Sequence, residues 1–148
     1  MSWQFDSADA LRAWGEWLGQ RISGGGLICL SGDLGAGKTT LAGGILAGYG
    51  HVGRCKSPTY TIVEPYETPR GPVYHFDLYR LSGPQDLDSI GFYDYFSHQS
   101  LSVLEWPERA GDALPDPDLY LSLDILPDGR RLLCLQMSEC GRKWLLDE

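Results

Sequence analysis

Residues 32–39 read Gly-Asp-Leu-Gly-Ala-Gly-Lys-Thr. This stretch fits the G-x-x-x-x-G-K-[ST] pattern of a Walker A phosphate-binding loop, and it lies between a short apolar run, residues 27–30, and a predicted helix that begins at Lys38. The glycines are required because backbone N–H groups must converge on phosphate oxygens, and side chains there would obstruct the concave loop. A glycine-rich turn that merely caps a helix is the alternative. We predict a nucleoside triphosphate site.

The loop residues have distinct predicted roles. Lys38 would reach the β- and γ-phosphates as a point charge, and the Thr39 hydroxyl would ligate a magnesium ion that bridges those phosphates. The helix that follows adds its positive N-terminal end. The predicted nucleotide contacts in the loop are Asp33, Leu34, Gly35, Ala36, Gly37, Lys38, Thr39 and Thr40.

Length and charge restrict the class of protein. The chain of 148 residues fits a single P-loop domain, residues 1–148. A domain of this size buries about 68–70% of its unfolded surface, so it needs no disulfide or structural metal. The formal net charge of −8 creates a field that repels nucleic acid phosphates. We therefore expect no direct DNA binding, and we expect contact with RNA to come through a protein partner.

The cysteines and the N-terminus bear on the compartment. Cys29, Cys55, Cys134 and Cys140 show no C-x-x-C spacing, and Cys29 and Cys134 lie in apolar runs that predict small core residues. The N-terminus has no basic segment, and no apolar run approaches the ~18 residues of a membrane span. We expect a cytoplasmic protein without a membrane segment.

Helical periodicity flanks the loop on both sides. Apolar residues recur at helical spacing over residues 11–22, with Ser7 as the predicted N-cap. The helix after the loop is predicted to run to about Leu46 and contains Gly43-Gly44, a pair that costs roughly 1 kcal/mol per glycine relative to alanine. Close packing against the sheet is the predicted reason for this pair.

Alternating apolar residues predict a mixed sheet. The last two of the predicted strands are joined by an Asp-Gly turn, which indicates a C-terminal antiparallel hairpin. We therefore expect an α/β fold, a single-domain P-loop NTPase whose mixed sheet is flanked by helices. The tail either docks as a last turn of helix or stays mobile. The predicted strands after the loop are residues 61–64, 73–79, 101–105, 119–126 and 131–137.

Two predicted strands contain a carboxylate that suits a P-loop site, Asp77 and Glu105. One acid of such a site holds magnesium through water, and a second can position the attacking water. We assign Asp77 to the metal and Glu105 to the water. Asp77 and Glu105 are candidate metal groups together with Thr39, and candidate catalytic groups together with Lys38. For each acid, the alternative is a strand end that is exposed to solvent and has no role in a site. His75 shares a strand face with Asp77, and we place it as a supporting residue.

Two segments leave alternatives open. Ser57-Pro58-Thr59-Tyr60 follows the helix after the loop, where switch regions lie, but a proline-fixed turn is the favoured interpretation. Between Arg80 and Arg109 there is no lysine or arginine, which disfavours the arginine-bearing lid of a small-molecule kinase. The aromatic residues of this segment are interpreted as core rather than as a partner surface.

Four blocks occur in a characteristic order along the chain, and together they resemble the bacterial TsaE family, also called YjeE, the ATPase of tRNA threonylcarbamoyladenosine biosynthesis. The resemblance spans nearly the whole chain and implies a small P-loop α/β fold. The blocks are the Walker A loop extended to Thr40, Ser57-Pro58-Thr59-Tyr60, His75-Phe76-Asp77-Leu78-Tyr79-Arg80, and Leu104-Glu105-Trp106-Pro107-Glu108-Arg109.

The resemblance also implies a function. ATP and Mg²⁺ would be the cofactors, bound by Lys38 and Thr39. Asp77 would help to hold the metal, Glu105 would serve catalysis, and Trp106 would lie beside the nucleotide. ATP hydrolysis would reset a complex with the TsaB and TsaD proteins between rounds of threonylcarbamoylation of adenosine 37 in ANN-decoding tRNAs. TsaD would make most of the tRNA contact.

One position departs from the family pattern. Where Thr-Thr-x-x-Arg-Gly is expected, this chain has Gly43-Gly44 at the last two places. If that arginine normally pairs with a partner or a switch, its contact is missing or moved here. We expect the change to affect partner affinity rather than ATP binding.

Two other functions are compatible with a P-loop of this kind. A small-molecule kinase would transfer phosphate to an acceptor, and the missing basic lid disfavours it. A nucleotide-gated binding module would use ATP only to set a conformation, with incidental hydrolysis. No Asn/Thr-Lys-x-Asp guanine-reading motif occurs in the chain, which favours ATP over GTP.

Overall fold

A computed structural model describes residues 1–53, 62–96 and 99–146 of the chain. Within these ranges the strands are β1 (Ser2–Phe5), β2 (Gly26–Ser31), β3 (Val63–Thr68), β4 (Gly71–Asp77), β5 (Leu101–Glu105), β6 (Leu119–Ile125) and β7 (Arg131–Met137). The helices are α1 (Ala8–Arg21), α2 (Lys38–Tyr49), α3 (Asp86–Ser89) and α4 (Glu139–Leu146), with 3₁₀ helices at Phe92–Tyr95 and Pro107–Ala113. The predicted switch-like segment Ser57-Pro58-Thr59-Tyr60 and Cys55 lie outside the described residues.

The described strands form one mixed sheet in the order β1-β7-β6-β2-β5-β4-β3. Four central strands are parallel, because β2 pairs in parallel with β5 and β6, and β4 pairs in parallel with β5. The outer pairs are antiparallel. The predicted mixed sheet and C-terminal hairpin are confirmed. Since parallel strands end at one edge, the loop after β2 and the last residues of β4 and β5 meet there.

Apolar side chains cover both faces of the sheet. Leu30 of β2 and Val103 of β5 belong to the cluster that also contains the buried residues of α1 and α2. Cys29 and Leu104, their neighbours in sequence, belong to the cluster on the opposite face. This alternation follows from the two-residue period of a strand. Phe92 is completely buried in the second cluster, so the core interpretation of the aromatic segment is correct for that residue, whereas Tyr93 is exposed.

Helices α1 and α2 approach closely through glycines. A Cβ atom at Gly44 would lie 2.4 Å from the carbonyl oxygen of Arg12, and one at Gly48 would lie 2.1 Å from that of Glu16. Real Cβ atoms do not approach backbone this closely, so these positions require glycine. The prediction that the glycine pair packs against the sheet is therefore wrong for Gly44, because its near neighbour is the backbone of α1.

Gly43 has a different environment from Gly44. The atom that a Cβ at Gly43 would meet is Nη1 of Arg12, at 3.1 Å, the far end of a flexible side chain. Arg12 also contacts Glu16 on its own helix at 3.6 Å. A guanidinium from α1 therefore lies beside the position at which the family pattern has its arginine.

The segments near the two ends of the chain pack against the sheet and the helices. Ser7 caps α1 as predicted, since its hydroxyl accepts the Ala10 N–H at 3.0 Å. Strand β1, which the sequence analysis did not predict, pairs antiparallel with β7 at the edge of the sheet. Helix α4 docks through Trp144, which is 3% exposed, so the docked alternative for the tail is confirmed. Among the described helices, none combines the length and the apolar character of a membrane span.

The two cysteines predicted to be core residues differ in burial. Cys29 is completely buried, as predicted. Cys134 is exposed, so its prediction is wrong. Leu133 and Leu135 point into the core, and the residue between them on β7 must face the other way.

Candidate phosphate-binding site

The predicted phosphate-binding loop joins β2 to α2 with the backbone that its glycines allow. Gly32, Gly35 and Gly37 have φ angles of 145°, 82° and 110°, which side chains rarely tolerate. A Cβ at Gly32 would also lie 2.6 Å from the carbonyl oxygen of Leu123, whereas Gly35 faces open space. Gly35 is therefore needed for its conformation, and Gly32 for both conformation and space.

A cavity of about 300 Å³ opens beside this loop. The loop, α2 and the ends of β4 and β5 all contribute to its wall. Two residues that were predicted to contact the nucleotide are not in the wall of the cavity. Ala36 is buried, and the backbone carbonyl of Asp33 accepts a hydrogen bond from the Lys38 ammonium. The structure thus brings together residues from three distant parts of the sequence. The lining residues are Leu34, Gly35, Gly37, Lys38, Thr39, Thr40, Asp77, Glu105 and Trp106.

Lys38 lies in the wall of the cavity and is only 5% exposed. Its ammonium donates hydrogen bonds to the carbonyl oxygens of Gly32 and, at 3.0 Å, Asp33. Its Nζ atom also lies 4.1 Å from the centre of the Trp106 ring. Burial lowers the pKa of Lys38, and the negative charge of Glu105 acts in the opposite direction. The cation is therefore held by neutral acceptors, which anionic phosphate oxygens can replace.

Glu105 lies at the end of β5, and two side chains contact its carboxylate. The Thr39 hydroxyl donates to Oε1 at 3.2 Å. The Nε2 atom of His75 lies 2.6 Å from Oε2. The side chains of His75 and Glu105 are each 3% exposed. His75 was predicted to share a strand face with Asp77, and the structure places its ring against Glu105. The β4–β5 register, which pairs Asp77 with Glu105, brings His75, Asp77 and Glu105 together.

Asp77 ends β4, lines the cavity and is less buried than Glu105. Its Oδ1 accepts the backbone N–H of Tyr79 at 3.0 Å. Burial raises the pKa of the Asp77 carboxyl, and the Tyr79 N–H counteracts it. Asp77, Glu105 and the Thr39 hydroxyl offer hard oxygen donors around one cavity, and oxygen is the ligand that Mg²⁺ prefers. The residues present therefore fit magnesium.

Trp106 follows Glu105 directly and has a strained backbone. Among the described residues it is the only non-glycine with a positive φ, 60°, a conformation that costs about 1–2 kcal/mol. Its backbone N–H donates to the Leu30 carbonyl at 3.3 Å. Its ring contacts Lys38 Nζ and the ring of Tyr79, whose centre is 4.9 Å away. The strained turn places an aromatic face in the wall of the cavity.

Arg131, at the start of β7, contacts the phosphate-binding loop and was missed by the sequence analysis. Its Nε donates to the Ala36 carbonyl and its Nη2 to the Gly35 carbonyl, both at 3.1 Å. A third bond joins Nη1 to the Gly129 carbonyl at 2.6 Å. No local pattern could have found this contact, because 95 residues separate Arg131 from Ala36.

A second cavity, of about 250 Å³, lies beside the same loop. It shares Gly35, Gly37 and Thr40 with the first cavity. The rest of its wall comes from the start of α1, the end of β1 and the hairpin. These further lining residues are Phe5, Asp6, Ser7, Ala8, Leu11, Gly129 and Arg131.

Comparison with known proteins identifies a family. A family model described as "Threonylcarbamoyl adenosine biosynthesis protein TsaE" matches residues 5–132. The tRNA threonylcarbamoyladenosine biosynthesis protein TsaE of Haemophilus influenzae is 44% identical over 116 residues, which cover 78% of this chain and 73% of that protein. The protein of the same name from Treponema pallidum is 35% identical over 125 residues, 84% of this chain and 92% of that one.

A solved structure agrees with these relatives. The crystal structure of YdiB from Bacillus subtilis matches with a TM-score of 0.78 and 27% sequence identity. The match covers 97% of this chain and 90% of that chain. Sequence and fold thus give the same answer, and the chain belongs to the TsaE family of threonylcarbamoyl adenosine biosynthesis proteins.

Proposed function

We propose that this chain is a single-domain, Mg²⁺-dependent ATPase. Its hydrolysis would support repeated threonylcarbamoylation of adenosine 37 in ANN-decoding tRNAs, in a cytoplasmic complex with TsaB and TsaD. The observation that carries the proposal is the convergence of Lys38, Thr39, Asp77 and Glu105 on one cavity beside a Walker A loop. Family membership supports the role in tRNA modification.

Nucleotide binding would use both cavities. The triphosphate would lie against the loop N–H groups and the N-terminus of α2, and Lys38 would exchange its carbonyl acceptors for phosphate oxygens. The nucleoside would occupy the adjoining cavity, since Gly35, Gly37 and Thr40 line both spaces. Trp106, in the wall of the phosphate cavity, would lie beside the nucleotide.

The two carboxylates would have different tasks in hydrolysis. Magnesium, when bound, neutralises charge on the β- and γ-phosphates. Asp77, the less buried acid, would hold that ion together with the Thr39 hydroxyl. Glu105 would accept a hydrogen bond from the Thr39 hydroxyl, so that the oxygen lone pairs of Thr39 face the cavity. Glu105 would also orient the attacking water.

The net charge of the chain suits a partner-dependent role. A protein with a formal charge of −8 repels tRNA phosphates, so the tRNA would be held mostly by TsaD. ATP hydrolysis here would then reset the complex between turnovers.

Multi-turnover tRNA modification tests the proposal. ATP hydrolysis is measured with and without Mg²⁺, for the chain alone and with TsaB, TsaD and tRNA, while threonylcarbamoyladenosine is followed over many turnovers. We expect hydrolysis to rise with the partners and to sustain modification. Hydrolysis that is indifferent to the partners and leaves the tRNA unmodified would overturn the biological role.

A Glu105→Ala variant tests the role of the acid and separates an ATPase from a nucleotide-gated module. It should bind ATP and partners yet fail to sustain repeated modification. Glu67→Ala, which removes an exposed glutamate on β3, is the matched control and should behave like the wild type. Full multi-turnover activity of Glu105→Ala would show that hydrolysis is incidental or that another group positions the water.

A further inference from the structure

We propose that His75 is a positioning residue whose imidazole fixes the orientation of the Glu105 carboxylate. The inference deepens the proposed function and rests on it, because orientation of Glu105 matters for hydrolysis only if ATP is the substrate. Neither the family match nor the comparisons assign a role to this histidine.

The contact between the two side chains is short and shielded from water. His75 Nε2 lies 2.6 Å from Glu105 Oε2, and each side chain is 3% exposed. Hydrogen bonds to an ionised carboxylate are about twice as strong as neutral ones, and a dry environment strengthens them further. The pair is therefore a rigid feature of the space between β4 and β5.

On its face of β4, His75 lies between Val73 and Asp77, and Glu64 is its register partner on β3. Val73, two residues earlier on the same face, is completely buried in the cluster that contains α1 and α2. Burying an imidazole at such a place costs free energy unless it is hydrogen-bonded. Among the described residues the Nδ1 atom has no hydrogen-bond partner, so the polar interaction of the ring is directed at Glu105.

This arrangement selects one tautomer of the histidine. An ionised carboxylate accepts hydrogen bonds but cannot donate them, so the proton of this bond comes from Nε2. The other nitrogen then carries a lone pair rather than a second N–H that would need an acceptor. His75 would thus donate from Nε2.

Two contacts together immobilise the acid. His75 holds Oε2 from β4, and Thr39 donates to Oε1 from α2. The terminal torsion of a glutamate is soft, so one contact alone leaves the carboxylate free to turn. With both contacts present, Thr39 retains a fixed acceptor, and the carboxylate keeps one orientation toward the cavity.

Three substitutions of His75 test this inference through ATP hydrolysis. Glutamine places an amide N–H near the position of Nε2, asparagine places one near Nδ1, and leucine removes the donor altogether. Supporting hydrogen bonds of this kind are worth about 10- to 100-fold in activity. We expect H75N and H75L to lose kcat by roughly this factor with little change in KM for ATP, and H75Q to recover most of the loss.

Stability and coupling distinguish positioning from a purely structural role. H75L leaves the buried Glu105 carboxylate with one donor fewer, so it should unfold at a lower temperature than H75Q. Activities are therefore compared well below both unfolding temperatures, where a lower kcat cannot come from loss of folded protein. In the Glu105→Ala background, H75L should cause no further loss of kcat. Equal kcat for H75Q, H75N and H75L, or an independent loss in the double variant, would overturn the inference.

A measurement without nucleotide tests the contact itself. The chain has three histidines, and H75Q identifies the signals of His75 in imidazole ¹⁵N NMR spectra of the free protein. We expect a proton on Nε2 that is hydrogen-bonded in the wild type and loses this bond in Glu105→Ala. A ring that carries a proton on Nδ1 and none on Nε2 would refute the proposal even if ATP hydrolysis is confirmed. Conversely, a wild-type chain without ATPase activity would refute the proposed function. The NMR spectra would still show whether His75 donates a hydrogen bond to Glu105.

Discussion

The hydroxyl of Thr39, at the start of α2, donates a hydrogen bond of 3.2 Å to the carboxylate of Glu105, which lies 66 residues later at the end of β5. The contact is made possible by the parallel pairing of β2 with β5, in which Leu30 and Glu105 are partners. It links the phosphate-binding loop to the acid of the neighbouring strand, so a change at either residue should affect the other.

Replacement of Thr39 should weaken Mg²⁺-dependent nucleotide binding. Thr39→Ala removes an oxygen ligand proposed for Mg²⁺, so it should lose roughly 10- to 100-fold in affinity for Mg²⁺-ATP. Thr39→Ser keeps the hydroxyl and should retain most of the affinity. Calorimetric titration with and without Mg²⁺ measures the difference. Equal affinities of the serine and alanine variants would contradict the role of the hydroxyl.

Arg131 should support nucleotide binding without touching the phosphates. Its guanidinium holds the carbonyls of Gly35 and Ala36, and each such bond contributes about 0.5–1.5 kcal/mol. Arg131→Ala should thus weaken ATP binding roughly tenfold, by loosening the loop and by removing a side chain from the wall of the cavity proposed for the nucleoside.

Arg130 offers a matched control for this prediction. Its side chain is about half exposed and pairs with Asp128 at the surface, a contact worth less than about 1 kcal/mol. Arg130→Ala should leave ATP affinity unchanged in the same titration. If both arginine variants lose affinity equally, a general effect of charge on the hairpin, rather than support of the loop, is responsible.

The adjacent glycines of α2 should respond oppositely to alanine. Gly44→Ala would press a methyl group against the Arg12 carbonyl and should destabilise the fold by about 1–3 kcal/mol. Gly43→Ala meets only the movable end of the Arg12 side chain and should gain up to about 1 kcal/mol from helix propensity. Urea unfolding of both variants measures these differences. A similar loss in both would mean that α1 and α2 do not approach as described.

The buried thiol of Cys29 should make stability depend on alkaline pH. Burial raises the pKa of Cys29 to about 12 from its ordinary value of 9.0. Between these values the unfolded chain loses the proton while the folded chain keeps it, so the free energy of unfolding falls as pH rises. This contribution is fully present below pH 9.0 and is lost progressively above it.

Cys29→Ala should reduce that alkaline loss, whereas Cys134→Ala, at an exposed position, should not. Urea unfolding on either side of pH 9.0 measures the effect. Alkylation of the native protein should modify Cys134 and spare Cys29 until the chain unfolds. Modification of Cys29 in the folded protein would contradict its burial.

Local patterns in the sequence were sufficient for several features. The Walker A loop, the N-cap at Ser7 and the C-terminal hairpin each depend on residues a few positions apart, and each is present in the structure. The candidate acids Asp77 and Glu105 could also be found in this way, because each is the last residue of its strand. Local sequence is informative wherever backbone propensity and side-chain period control the result.

Contacts between distant segments could not be obtained in this way. The bond from His75 to Glu105 depends on the register of β4 and β5, and the bonds from Arg131 to the loop depend on where β7 lies in the sheet. The close approach of α1 to Gly44 and the outward orientation of Cys134 have the same origin. Register, strand order and helix packing arise from the burial of the whole apolar core at once, and no short stretch of residues specifies them.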